Sequence, residues 1–86
     1  MGLVSANVSI VVNHDQAFAL AVKQLRQERD LSQEDVAFAG GTSTSTVSRV
    51  ERGLIQPSST IIGRIAKGLG VSLVELAAAT EAALTG

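Results

Sequence analysis

A short polar segment near the middle of the chain carries the side chains best suited to hydrogen-bond a ligand. At about 100° per residue, one continuous face of a helix over residues 44–52 holds only hydroxyl and guanidinium groups: Thr44, Ser45, Ser48, Arg49 and Arg52. Small hydroxyl side chains let a backbone approach its partner closely, and an arginine can reach a guanine edge or a phosphate. Thr46, Val47 and Val50 face the other way. The pattern indicates either a helix that reads DNA or a solvated surface helix.

Catalytic and metal chemistry has little support in the rest of the sequence. There is no Cys, which excludes a disulfide, a thiolate nucleophile and a cysteine metal site. His14 is the single histidine, and without a second ligand we expect it to be exposed. Gly40 and Gly41 read as a helix stop rather than a phosphate loop, since no strand precedes them. We therefore expect no enzyme, no metal site and no cofactor.

Composition predicts one small domain with an aliphatic core. The 86 residues are 45% hydrophobic but only 2% aromatic. The formal net charge of −1 argues against a broadly basic surface, so any binding of nucleic acid depends on where the cations lie. No apolar run has the length of a membrane helix, and no basic region precedes the apolar N-terminal stretch. We expect a cytoplasmic protein without a membrane partner, associated with the nucleoid if it binds DNA.

Apolar spacing and capping residues predict five short helices and hence an all-α fold. They run from Asp15 to Arg29, from Ser32 to about Ala39, from Thr44 to about Arg52, from Pro57 to just before Gly70, and from Ser72 onward. Ser32 with Asp35 and Ser72 with Glu75 have the spacing of capping boxes, and Asn13 with Gln16 can cap the first helix.

The N-terminal residues have a different pattern. Residues 3–12 read LVSANVSIVV, with alternating apolar side chains that predict a short strand or extended arm. One strand alone leaves its edges unpaired, and a second copy of the chain is the simplest partner. We therefore expect residues 1–12 to form an arm with a possible dimer contact, and residues 13–86 to form the folded domain.

The stretch LRQERDLSQEDVAFAGGTSTSTVSRVERGLIQPS resembles the phage-repressor-like (Xre/Cro-like) helix-turn-helix family. The resemblance runs from about Val22 to Leu76. It includes LSQEDVA at the second helix, STVSRVERG in the third and IAKGLGVSLVEL near the end. This resemblance implies a compact five-helix, lambda-repressor-like DNA-binding domain whose third helix enters the major groove.

The resemblance also implies roles for individual residues. Base reading falls on Thr44, Ser45, Ser48 and Arg49. Phosphate contacts fall on Gln33, Thr46, Arg52 and Gln56. At the start of the second helix, unpaired N–H groups and the helix dipole also favour an anion. Arg26 and Glu51 match an internal ion pair between the first and third helices, a structural pair whose disruption, if it is buried, costs about 3–5 kcal/mol.

Several positions depart from the family's pattern. Gly40 and Ser59 stand where the family has apolar residues, and Thr42 replaces a common Val, so we expect a thinner core. After Gly53 the loop reads Leu54-Ile55-Gln56, where the family often has Lys or Arg on a phosphate. We expect Leu54 in the core, Ile55 at the surface or against a partner, and lower DNA affinity per monomer.

These observations predict a sequence-specific, double-stranded-DNA-binding transcriptional regulator, a repressor that binds a palindromic operator as a homodimer. Two copies on a two-fold axis read half-sites about 34–36 Å apart. Either the N-terminal arm or the alanine-rich C-terminal helix can supply the dimer surface. The alternative is an antitoxin-like or other protein-interaction module on the same fold, favoured by the low basic charge and the apolar Leu54-Ile55 pair.

Overall fold

The structure, a computed structural model, describes residues 13–85, and these form five α-helices. They are α1 (His14–Glu28), α2 (Gln33–Gly40), α3 (Thr44–Glu51), α4 (Ser59–Leu69) and α5 (Leu73–Thr85). The bounds lie within one or two residues of the predicted helices and confirm the all-α, five-helix fold. The predicted strand or arm over residues 3–12 lies outside the described residues.

A polar side chain begins each of the five helices. Asn13, Ser32 and Ser72 form full capping boxes with Gln16, Asp35 and Glu75, in which the side chain of each residue accepts from the backbone N–H of the other. The hydroxyls of Ser43 and Ser58 accept from the third N–H of α3 and α4. These bonds satisfy N–H groups that a helix start leaves without a partner. Helix capping therefore explains why these serines are present, and no role as a nucleophile is needed.

One aliphatic cluster joins the helices. Its buried members come from every helix and from the α4–α5 loop: Val22, Val36, Ala37, Val47, Val50, Ile65, Ala66, Leu69, Val71 and Leu76. Phe18 packs against this cluster, whereas Phe38 is 88% exposed. The core is therefore aliphatic, as the composition predicts.

The loop after α3 departs from the environments expected for Leu54 and Ile55. Leu54 is 61% exposed rather than in the core, and Ile55 packs partly buried against the core. The N–H of Gly53 (φ 69°) donates to the Val50 carbonyl, and the N–H of Leu54 donates to the Arg49 carbonyl. This is a Schellman turn, in which the residue after the glycine lies over the third-last helical residue. Because that residue is the exposed Arg49, Leu54 is directed to the surface.

The crossing of α2 and α4 depends on two glycines. Gly40 of α2 lies against the backbone carbonyl of Arg64, and Gly68 of α4 lies against the backbone carbonyl of Val36. The contact is reciprocal, because Gly68 stands four residues after Arg64 and Gly40 stands four residues after Val36. A Cβ atom at either glycine would overlap a backbone oxygen. Gly40 therefore does not thin the core, because it permits close helix approach.

We expect alanine at either crossing glycine to destabilise the fold. Gly40→Ala and Gly68→Ala must push two backbones apart, at a cost of about 1–3 kcal/mol in the free energy of unfolding. Gly63→Ala is the matched control on α4, because nothing lies within 4 Å of the added Cβ. It should stabilise by about 0.5–1 kcal/mol through helix propensity. Urea unfolding measures all three, and equal stability of Gly68→Ala and Gly63→Ala would contradict the proposed crossing.

Candidate nucleic-acid interface

Helices α2 and α3 form a helix-turn-helix unit. The turn between them is three residues long, and Gly41 (φ 71°) starts it in the left-handed conformation that glycine tolerates. Buried side chains fix the two helices on the core: Val36 and Ala37 from α2, Val47 and Val50 from α3. Because its two valines point inward, α3 directs its other face to the surface.

The outward face of α3 carries the predicted base-reading residues. Thr44, Ser45 and Arg49 are exposed, and the structure brings them onto one surface. Ser48 is half-buried and therefore less accessible than these three residues. Short hydroxyl side chains beside the long Arg49 give this surface the polarity expected of a major-groove reader.

The predicted phosphate-contacting residues lie at the start of α2, on α3 and in the loop after α3. Arg52 is exposed just after α3, and Gln56 is exposed in the loop before α4. Thr46 is half-buried, and its hydroxyl is 2.8 Å from the Ser43 hydroxyl. Gln33 is the first residue of α2, where the Ser32 cap uses the N–H of Asp35 but leaves the N–H groups of Gln33 and Glu34 to a ligand.

Two arginines supply the positive charge of this surface. Among residues 13–85 the single salt bridge joins Arg26 and Glu51, so Arg49 and Arg52 have no carboxylate partner in this part of the chain. Arg52 instead bonds the Ser48 carbonyl through its Nε atom, at 3.4 Å. Both guanidinium groups are thus available to an anionic ligand, although the chain as a whole is nearly neutral.

The Arg26–Glu51 pair lies directly behind the interface. Arg26 Nε donates to Glu51 Oε2 at 2.6 Å, and Arg26 Nη2 donates to Glu51 Oε1 at 3.0 Å. The side chains are only 15% and 3% exposed. This hydrogen bonding to Glu51 raises the pKa of the Arg26 guanidinium above its ordinary value. Loss of either partner would leave a buried charge unpaired, which costs about 3–5 kcal/mol.

Sequence reasoning missed two contacts that fix this unit. Gln33 Nε2 donates to Glu51 Oε1 at 3.1 Å, which ties the start of α2 to the end of α3. Arg64 Nη1 donates to the Gly41 carbonyl at 2.7 Å, which holds the turn against α4. Neither contact has a local sequence signal, since both join residues at least 18 positions apart.

The chain belongs to the helix-turn-helix family, whose model matches residues 22–76. This match confirms the resemblance to the phage-repressor-like proteins. The family is a group of DNA-binding transcription regulators and not of enzymes. No helix within residues 13–85 is long and apolar enough to cross a membrane.

Two relatives illustrate the family. The chain is 36% identical over 64 residues to the cryptic phage CTXphi transcriptional repressor RstR of Vibrio cholerae; the match covers 74% of this chain but 58% of that repressor. It is 40% identical over 58 residues to the uncharacterized HTH-type transcriptional regulator y4dJ of Sinorhizobium fredii, covering 67% of this chain and 75% of the relative. The chain thus spans little more than half the length of RstR.

Solved structures share the fold at lower identity. The restriction-modification controller protein C.Esp1396I, solved as a tetramer in complex with its natural 35 base-pair operator, has a TM-score of 0.82 and 23% identity over 87% of this chain and 99% of its own. The clp gene regulator ClgR from Corynebacterium glutamicum has a TM-score of 0.78 and 20% identity over 86% of this chain and 79% of its own. These likenesses place the five helices in the same fold.

The capping carboxylates should make stability fall in acid. The N–H of Ser32 lowers the pKa of Asp35, and the N–H of Ser72 lowers the pKa of Glu75. A carboxylate whose pKa is lowered by folding stabilises the fold above its unfolded pKa, and this contribution disappears as pH falls through the folded pKa.

Asp35→Asn and Glu75→Gln test this pH dependence, since each amide keeps an acceptor but removes the charge. Both variants should melt below the parent at neutral pH and should approach the parent's melting temperature in acid. Thermal unfolding followed from neutral pH to about pH 2 measures the difference. A difference in melting temperature between parent and variant that stays constant over this pH range would show that the charge makes no contribution.

Proposed function

We propose that the chain is a sequence-specific regulator of transcription that binds double-stranded DNA and represses by occupying its operator. The observation that carries this proposal is the exposed face of α3 beside the start of α2. Its hydroxyl and guanidinium groups are held outward by two buried valines. A regulator of this kind binds the chromosome, which agrees with the cytoplasmic, nucleoid-associated location expected from the sequence.

In this proposal α3 lies in the major groove. Arg49 bonds a guanine edge, and Thr44, Ser45 and Ser48 contact neighbouring bases. Gln33, Thr46, Arg52 and Gln56 contact the phosphates on either side and fix the register of the helix. Only one of these four phosphate contacts is a cation, so binding to unrelated DNA should be weak and should depend only slightly on salt concentration.

Arginine substitutions separate base reading from phosphate binding. Arg49→Ala should weaken binding to the selected duplex by about 1–3 kcal/mol and relax the sequence preference at one position. Arg52→Ala should weaken all duplexes alike and reduce the slope of log K against log salt by about 1. Lys67→Ala is the matched control, because Lys67 is an exposed cation on α4, which supplies none of the predicted contacts.

The binding site is first obtained by selection from random duplex DNA, and affinities are then measured by fluorescence anisotropy at several salt concentrations. Equal losses for Arg49→Ala on selected and scrambled duplexes would show that Arg49 does not read sequence. Absence of any DNA binding by the parent chain at low salt would refute the proposed function itself.

We further propose that α5 supplies the homodimer surface. Leu73 is 58% exposed and Val74 is 78% exposed on this apolar helix. An open groove of about 420 Å³ runs between α5 and the side chains of His14, Phe18 and Ile62. An apolar helix of this kind is normally covered, and a second copy of the same face covers it with two-fold symmetry. In this proposal residues 13–86 form the DNA-binding domain, and residues 1–12 make an additional dimer contact.

Leu73→Gln should shift the chain from dimer to monomer without unfolding it, because it removes apolar area from the proposed interface alone. Leu20→Gln is the matched control, since Leu20 is an exposed leucine on α1, 43% accessible. Sedimentation equilibrium measures the oligomeric state of both. A chain lacking residues 1–12 should still dimerise, and a Leu73→Gln dimer as strong as that of Leu20→Gln would refute the α5 interface.

An antitoxin-like protein-interaction module is the second candidate function. Phe38 is 88% exposed on α2 and Leu54 is 61% exposed after α3, so the helix-turn-helix unit also presents apolar side chains. This candidate predicts co-purification with a dedicated partner, release of that partner by Phe38→Ser, and no DNA affinity at low salt. Sequence-specific DNA binding lost in Arg49→Ala decides for the first candidate.

A further inference from the structure

The carboxylate of Glu51 accepts hydrogen bonds from two side chains with different roles, one structural and one predicted to contact DNA. Its Oε1 atom accepts from Arg26 Nη2 at 3.0 Å, a structural contact, and from Gln33 Nε2 at 3.1 Å. Gln33 is the first residue of α2 and a neutral member of the predicted phosphate-contacting set. Glu51 itself is on the inner side of α3 and is only 3% exposed, so it cannot touch DNA directly.

The hydrogen bond to Glu51 fixes the orientation of the Gln33 amide. A glutamine side chain has three rotatable bonds, and a surface glutamine must lose this freedom when it binds a ligand. Here one N–H of Gln33 Nε2 already donates to the buried Glu51 carboxylate. The second N–H of Nε2 remains available to another acceptor. An amide held in this way loses little rotational freedom when it binds a ligand, and a side chain that is ordered in advance binds more tightly.

The same network also fixes the backbone from which Gln33 projects. Arg26 Nη1 donates to the Leu31 carbonyl at 2.8 Å, one residue before the Ser32 cap of α2. One arginine thus holds the linker that enters α2, and through Glu51 it holds the end of α3. The start of α2 and the recognition helix are therefore fixed relative to each other by side chains that lie behind the interface.

From this geometry we infer that Glu51 is a positioning residue for DNA binding, which orients the Gln33 amide toward a backbone phosphate, with Arg26 holding the carboxylate in place. Arg26 also neutralises the negative charge of Glu51, which would otherwise repel the phosphate that Gln33 binds. The inference rests on the proposed function, since it assigns how one of its phosphate contacts is prepared.

The test must separate positioning from stability, because removing one member of the ion pair alone endangers the fold. Two double variants do so: Arg26→Met/Glu51→Gln and Arg26→Met/Glu51→Leu. Both replace the ion pair by a neutral pair of similar volume, an exchange that buried pairs often tolerate. They differ in one property, because only the glutamine at position 51 keeps an oxygen that accepts from Gln33. Thermal unfolding verifies that both are folded at the assay temperature.

We expect the two variants to bind DNA differently. On the selected duplex, Arg26→Met/Glu51→Leu should bind about tenfold more weakly than Arg26→Met/Glu51→Gln, the scale of one hydrogen bond to a charged group. The slope of log K against log salt should be the same for both, since Gln33 carries no charge. Adding Gln33→Ala to each variant should remove the difference to within about twofold, because Glu51 acts only through Gln33.

Two results would overturn the inference. One is equal DNA affinity of the two folded double variants, which would leave Glu51 a structural residue only. The other is a tenfold difference that persists in the Gln33→Ala backgrounds, which would show that position 51 acts by another route. Arg49→Ala in the same titration reports on the proposed function independently, so a loss there together with equal double variants refutes the positioning role and leaves DNA recognition intact.

Discussion

The position of the polar face of α3 depends on a buried anchor on the opposite side of the same helix. Val47 and Val50 insert into the aliphatic core, and Glu51 forms a bidentate ion pair with Arg26 of α1. A helix of eight residues has little stability of its own in water, so tertiary contacts must hold it. The ion pair adds directional bonds at its end, and together with the two buried valines these bonds fix which side of α3 faces outward.

The second constraint is the close contact between α2 and α4. With Gly40 and Gly68 each against a backbone carbonyl, the backbones of the two helices come close together at the crossing. Arg64 then reaches from α4 to the Gly41 carbonyl and holds the turn of the helix-turn-helix unit. This arrangement explains how a chain with a small aliphatic core keeps its short helices in place. Close backbone contact provides the dispersion attraction that larger side chains supply elsewhere.

The sequence predicts the helices well because their boundaries are set locally. The signals act within one helical turn: a Ser or Asn at the cap, its partner three residues later, and a glycine at the helix end. The pairs Ser32 with Asp35 and Ser72 with Glu75 can therefore be found from spacing alone. Contacts between distant elements have no such signal. Hydropathy places Leu54 inside, yet a Schellman turn directs it outward. The Gly40–Gly68 crossing and the Gln33–Glu51 bond depend on helix packing, which spacing along the chain does not encode. Base reading by Thr44, Ser45, Ser48 and Arg49 stays a prediction, because its test needs the DNA.

The near-neutral charge of the chain determines how a protein of this kind achieves affinity. A strongly basic domain gains binding energy from counterion release over many phosphates, and it tolerates contacts that are loosely placed. This chain has a net charge of −1 and offers two arginines at the proposed interface. In the proposed function, neutral donors such as the Gln33 amide contribute more when they are oriented before DNA binds, since each ordering step subtracts from a small total. Fixed geometry behind the interface is one means by which so neutral a surface can become selective. The proposed second copy, which would double the number of contacts, is the other.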